Sequence, residues 1–197
     1  MGRALERRRF EFLTFLSGFG SKALLLGDGD GRFLAALLEA NPVIRVDYVD
    51  SSAKMLALAR ERAVRLGAEH RVCFSRANAL QWQPSSGTSY DLVVTHFFLD
   101  CLADDELLVL LKHLEPLIAP DAVWIVSEFH QPPRGVPAWR ARLWISGLYR
   151  AFGWFTGLRV RRLPDHRAAL ARGGFGLEQE VVAEWGLLVS ERWQRRS

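Results

Sequence analysis

Short apolar runs alternate along this chain with longer stretches in which apolar residues recur every three or four positions. The runs at 23–26, 44–49, 72–75, 92–95 and 123–127 have the length and composition of buried strands. Between them, 31–40 reads as a helix ended by Asn41-Pro42. A second helix opens at Ser51 or Ser52, carries Met55, Leu56, Ala59, Ala63 and Leu66 on one face, and stops at Gly67. A third is capped by Asp104 or Asp105 and carries Leu107, Leu108, Leu111 and Leu114; Pro120-Asp121 then turns the chain into the fifth strand. Strand and helix in alternation build βαβ units on a parallel sheet. Ahead of the first strand, Leu5, Phe12, Leu13 and Leu16 predict one helix over 3–17. Phe10 and Phe15 fall off that stripe, so it is expected to be buried on more than one side. After the fifth strand, Pro132, Pro133 and Pro137 open an irregular segment that runs to 162. A helix over 163–173 follows, stopped by Gly173-Gly174. The runs 177–182 and 187–193 then form a hairpin around Trp185-Gly186.

Chemistry enters where the first strand ends. Gly27, Gly29 and Gly31 alternate with Asp28 and Asp30, and a helical segment follows at once. Glycine accepts positive φ and lets a ligand approach bare main chain, and a helix N-terminus presents unpaired N–H groups. Asp50 closes the second strand, where an acid can accept hydrogen bonds from two ribose hydroxyls. Together these describe a nucleotide-type cofactor site. The dinucleotide fingerprint G-x-G-x-x-G would need a glycine at 32, where the chain has Arg32, and an ordinary dehydrogenase domain would not finish in a hairpin.

The spacing G-x-G-x-G resembles motif I of the Rossmann-like (class I) S-adenosylmethionine (SAM)-dependent methyltransferases. The resemblance continues through Val46 to Leu56, Val72 to Ala79 and Tyr90 to Leu99, four blocks in family order over roughly residues 20–130. The pattern is similar to bacterial members of undefined substrate. It implies an α/β fold: a three-layer αβα sandwich with a seven-stranded, mostly parallel sheet of order 3-2-1-4-5-7-6 and the last strand antiparallel. It implies one methyltransferase domain over 1–197, with SAM as cofactor. Gly27, Gly29 and Gly31 would lie against the methionine part, and Asp50 would take the ribose. Ser51, Met55, Asn78, Ala79 and Thr95 would complete the pocket, Met55 beside the adenine and Asn78-Ala79 where the family commonly has Asp-Ala. The family's acid two residues before the first glycine is Leu25 here, so Asp28 or Asp30 is expected to hold the amino group of SAM. Asp30 has an alternative role as a helix cap, and so does Asp50. The departures at Leu25 and Asn78 keep a non-catalytic SAM-binding or partner module as an alternative.

The segment 95–101 leaves the fourth strand at the carboxyl edge, where open α/β sheets bind ligands. It lacks Asn/Asp-Pro-Pro-Tyr/Phe, which argues against DNA and against exocyclic base amines as acceptors. It also lacks the acids of Mg²⁺-dependent catechol-type enzymes, so no metal is expected. His96 is a candidate to orient the acceptor or take its proton; Glu128 and His130, after the fifth strand, are candidates at the same edge. His70, His113 and His166 read as surface residues. In this family, insertions at the place of 132–162 shape the acceptor pocket. Its tryptophans and arginines fit a lid over a small, partly apolar acceptor with an anionic part, a dimer interface or a peripheral contact with anionic membrane.

Composition narrows this picture. The 197 residues suffice for one domain with one core, and no apolar run is long enough to span a membrane. The basic start, followed by Glu11, reads as an amphipathic helix and not a signal peptide. Cys73 and Cys101 are the only cysteines, and Cys73 is expected in a buried strand, which suits a reducing cytoplasm. The net charge of +4 hides a block at 132–173 with nine arginines and one acid. That block makes an RNA methyltransferase the alternative reading, although 23 arginines against three lysines also reads as GC-rich coding bias. The expected activity is direct transfer of the SAM methyl group to a small molecule by a monomer or homodimer.

Overall fold

A computed structural model describes residues 2–130 and 164–196. Seven strands form one sheet: β1 Lys22–Leu26, β2 Arg45–Asp50, β3 Val72–Arg76, β4 Tyr90–His96, β5 Ile118–Phe129, β6 Phe175–Ala183 and β7 Leu188–Arg195. Their order is β3-β2-β1-β4-β5-β7-β6. β1 to β5 pair in parallel, and β7 runs antiparallel to both β5 and β6. This is the order and polarity that the class I resemblance implied.

β1 explains why the sheet carries helices on both faces. Successive strand residues point to opposite sides, and all of Ala23, Leu24, Leu25 and Leu26 are sealed. Leu24 and Leu26 face a core built with α5 (Asp104–Leu114) and α6 (His166–Arg172). Ala23 and Leu25 face a second core with α2 (Leu13–Leu16), α3 (Arg32–Ala40) and α4 (Ala53–Arg65). The start of β1 is fixed by Asp91, whose Oδ2 accepts from the Ser21 amide and hydroxyl and from the Lys22 amide at 2.7–3.0 Å. Burial works against the charge of Asp91, but these bonds outweigh it and hold the carboxyl below its ordinary value. A depressed folded value means stability that is present above the unfolded value and lost as pH falls through the folded one. Asp91→Ala is therefore expected to cost about 1 kcal/mol at neutral pH and to flatten the acid limb below about pH 4, as read by urea unfolding across pH.

The structure departs from the sequence reading at five points. The expected helix over 3–17 is two pieces, α1 (Gly2–Arg9) and α2. The break lets Phe10 stack on Phe33, with ring centroids 6.3 Å apart, while Phe12 and Leu16 enter the core. A straight helix could not bury three positions with that spacing on one face. Pro120-Asp121 lies within β5, where pairing with β4 slips between Tyr90 and Leu92; proline has no N–H for the ladder. Cys73 is exposed, because β3 is an edge strand and its outward side stays uncovered. His166 is buried, with its Nε2 3.0 Å from Glu191 Oε2. The Asp104/Asp105 cap is supplied differently: Glu106 accepts from the Ala103 amide at 2.9 Å.

Candidate active site at the carboxyl edge of the sheet

β1 runs directly into the glycine turn. Gly27, Gly29 and Gly31 have φ of 62°, 72° and 76°, a left-handed region that disfavours side chains. Two of the three are also fixed by close packing. A Cβ on Gly31 would stand 2.6 Å from Cα of Ala59, and one on Gly27 2.4 Å from the Phe98 ring. Over Gly29 nothing lies within 4 Å of the corresponding position. The turn is thus clamped at both ends by α4 and Phe98 and open in the middle. Tyr48, buried in β2, donates its hydroxyl to the Gly29 carbonyl at 2.7 Å. Burial, together with nearby Asp28, Asp50 and Asp30, keeps that phenol protonated and so a donor.

Asp50 ends β2 beside the open glycine. Its Oδ1 accepts from the Ser52 amide at 2.7 Å, and the Gly29 amide also donates to its carboxyl. Burial raises the carboxyl above its ordinary value, and the two amides partly offset this. Ser52, and not Ser51, caps α4 by accepting from the Met55 amide; Ser51 is exposed and Met55 half-buried. The Ala77 amide donates to the Asp50 carbonyl at 3.2 Å, which draws the 77–79 segment to the same edge. There Asn78 is exposed, with its Oδ1 bonded by the Leu80 amide, and Ala79 is buried.

Asp28 and Asp30 have different surroundings. Asp30 is held by Arg32 and Arg62, each at 2.9 Å. Burial opposes its charge, but the two guanidiniums outweigh burial and keep its carboxyl low. Asp28 is 1 % exposed. Its Oδ2 accepts from the Leu34 amide in the first turn of α3, the capping role expected of Asp30. Its Oδ1 lies 3.5 Å from His96 Nδ1 without hydrogen-bond geometry, so that oxygen and both ring nitrogens of His96 have no hydrogen-bond partner. His96 is sealed edge-on against Phe33, and burial depresses its pKa, leaving the ring neutral. Thr95 is also sealed, its hydroxyl accepting from the Trp124 indole at 3.0 Å.

Beyond β4 the chain turns through Phe97, whose φ of 55° is a strained value for an aromatic residue. Its ring meets Phe129 at 5.2 Å, and the Arg9 guanidinium lies over it at 5.7 Å. Glu128 is fully buried and accepts from the amides of Phe98 and Leu99 at 3.1 and 2.8 Å. Burial, then the charge of Asp100, raises Glu128. His130 follows, half-buried; burial and Arg167 lower its pKa, so its imidazole is uncharged at neutral pH. The segment 132–162, expected to be the acceptor-side lid, lies outside the described residues.

The structure therefore brings the glycine turn, Asp28, Asp50, His96 and the 77–79 segment to one edge, with Glu128 and His130 at the neighbouring strand end. Sequence reasoning missed Tyr48, Arg62, Phe98 and Arg9, which position the glycine turn, the two arginines by donating to the Asp30 and Asp28 carbonyls at 2.9 and 3.2 Å. Tyr48 carried no distinct signal, since β2 also holds Arg45, Asp47 and Asp50. Arg62 and Phe98 carried none, because their partners are set by tertiary packing.

A strand-turn-helix cradle opposite an acid-ended second strand, on a sheet of this order, defines a class I methyltransferase fold. The chain belongs to that SAM-dependent family: the methyltransferase domain family matches it over residues 24–124. No curated protein matches it. Among solved structures it is similar to the pyocyanin biosynthetic protein PhzM (TM-score 0.72, 23% identity) over 98% of this chain and 56% of that one. It is similar to the mitomycin 7-O-methyltransferase MmcR (TM-score 0.72, 17% identity) over 98% and 54%. The N-methyltransferase NodS from Bradyrhizobium japonicum WM9, in complex with S-adenosylhomocysteine (SAH), matches at TM-score 0.69 and 15% identity over 98% and 87%. The chain thus spans little more than half the length of the first two. Among the described residues no helix is long and apolar enough to cross a membrane.

Proposed function

We propose that the chain transfers the methyl group of SAM to a small, partly apolar molecule at the carboxyl edge of the sheet, as a single domain. The observation that carries this reading is the open left-handed glycine at 29, whose amide is shared with the Asp50 carboxyl. Such a cradle leaves room for a ligand over bare backbone and sets an acid beside it. The unpartnered Asp28 Oδ1 lies in the same turn, and a buried polar atom without a partner costs about 1–3 kcal/mol until something bonds it.

In this reading Gly27, Gly29 and Gly31 take the methionine part, and Asp28 holds the amino group, because the charge of Asp30 is already matched by two arginines. Asp50 accepts from the ribose hydroxyls. Ser51, Met55, Asn78 and Ala79 border the adenine, and Thr95 supports the floor. When bound, SAM supplies a methyl group already activated on sulfonium sulfur, so alignment and exclusion of water are what remain for the protein. Asp28 is held from α3 by the Leu34 amide, and neutral His96 lies sealed beside it. Glu128 holds the 97–101 turn, and His130, uncharged and half-open, is the candidate to accept the proton of the acceptor. Methyl-labelled SAM tests the acceptor class: label is expected in small phenols or amines with SAH as co-product. Label in RNA instead would favour the basic block as an RNA-binding surface.

A further inference from the structure

Below the acceptor edge lies a buried carboxyl pair that the proposed reaction does not use. Glu128 Oε1 accepts from two successive amides, Phe98 and Leu99, and Oε2 stands 3.4 Å from the Asp100 amide. In return, Asp100 Oδ2 accepts from the Phe129 amide at 2.8 Å. The two side chains are hydrogen-bonded to one another. β5 and the turn after β4 therefore hold each other by reciprocal bonds, each from one carboxyl. Two carboxylates cannot share a hydrogen bond unless one carries a proton. The arrangement assigns that proton to Glu128, whose Oε1 acts as a carbonyl acceptor for two amides while the protonated carboxyl donates to Asp100.

We propose that Glu128 and Asp100 form a one-proton clasp that sets the 97–101 turn and, through Phe98, the position of the glycine turn at the cofactor site. The link to the cofactor site is steric: Phe98 follows the strained Phe97 and packs on Gly27 so closely that no side chain fits there. The cofactor half of this inference rests on the methyltransferase reading; the clasp itself does not.

Burial raises both carboxyls, Asp100 to about 6 and Glu128 well above its ordinary value, with the Asp100 charge adding to the rise on Glu128. The groups facing the pair are known from each neighbouring element. His166 of α6 lowers Asp100, and Glu191 of β7 raises it. Glu191 is itself engaged by His166, Arg167 and the Trp193 indole. On the turn, the Cys101 thiol is raised to about 12 by burial and by both carboxyls, so it stays uncharged. A raised folded value gives stability that is present at low pH and lost as pH rises through it. The clasp is therefore intact while Glu128 keeps its proton and opens as pH rises through its raised value, when Glu128 loses that proton beside Asp100.

The test compares wild type with Glu128→Gln and Glu128→Leu in the full chain. It reads hydrogen-exchange protection factors of the amides at 98 and 99, both held by Oε1, between pH 6 and 9, and SAH affinity by calorimetry. A glutamine accepts through Oε1 and donates through Nε2, as the protonated acid does, but cannot titrate. Wild-type protection is expected to fall at the alkaline end, and Glu128→Gln to keep it flat. Glu128→Leu should lose protection and weaken SAH about tenfold or more. Loss of protection in Glu128→Gln, or a glutamine profile that falls with pH as the wild type does, would overturn the clasp. If Glu128→Leu does not fold, the glutamine comparison still decides. If wild type binds no SAH, the cofactor reading fails while the amide protection tests the clasp on its own.

Discussion

Gly31→Ala is expected to destabilise the fold by about 2–4 kcal/mol, and Gly29→Ala by no more than about 1–2 kcal/mol. Both residues have positive φ, so both variants carry the strain of a left-handed alanine. They differ in what the new methyl group meets. At 31 it would stand 2.6 Å from the Ala59 backbone, and α3 would have to move off α4. At 29 it would meet nothing within 4 Å. Urea unfolding measures the first difference. SAH titration measures the second, since the methyl group at 29 projects into the space assigned to the ligand. Gly29→Ala should therefore fold well and bind poorly. Equal unfolding midpoints for the two variants would contradict the packing argument.

Asp50→Ala is the second large effect. A hydrogen bond to a charged acceptor contributes about 1.5–3 kcal/mol. Loss of the acid facing the ribose should therefore weaken SAH by about 10- to 150-fold. Two amides, from Ser52 and Gly29, converge on this carboxyl, so the substitution also frees the Gly29 amide. Asp50→Asn restores an acceptor without the charge and should fall between alanine and wild type. The carboxyl is raised by burial, so wild-type SAH affinity is also expected to weaken on the acid side, as the group gains its proton. An Asp50→Ala protein with wild-type affinity would remove Asp50 from the cofactor site.

What was legible in the sequence follows from local chemistry. β1, β2, β4 and β5 announced themselves as short, largely apolar runs because a sheet covered on both faces buries most of its central strands. The glycine turn was visible because positive φ demands glycine at fixed spacing. The hairpin was visible from its turn, and with the resemblance it fixed the strand order. Other features depend on partners far away in the chain. Asp100 and Glu128 meet only when the turn after β4 folds against the end of β5. His166 looked like a surface residue because its partner acid, Glu191, lies on β7, far along the chain from α6. The left-handed Phe97 carries no sequence signal, since nothing about phenylalanine favours that backbone. Asp28 and Asp30 could not be ranked from sequence, as one is matched by Arg62 from α4 and the other faces His96 from β4.

The central claim is that the cradle at Gly27–Gly31 and Asp50 holds an adenosyl ligand. Calorimetric titration of the folded wild-type chain with SAH, with NADH as the comparison, tests it most directly. The account predicts SAH binding with a Kd on the order of micromolar and no binding of NADH. A folded protein that takes up no SAH, or that prefers NADH, would contradict it.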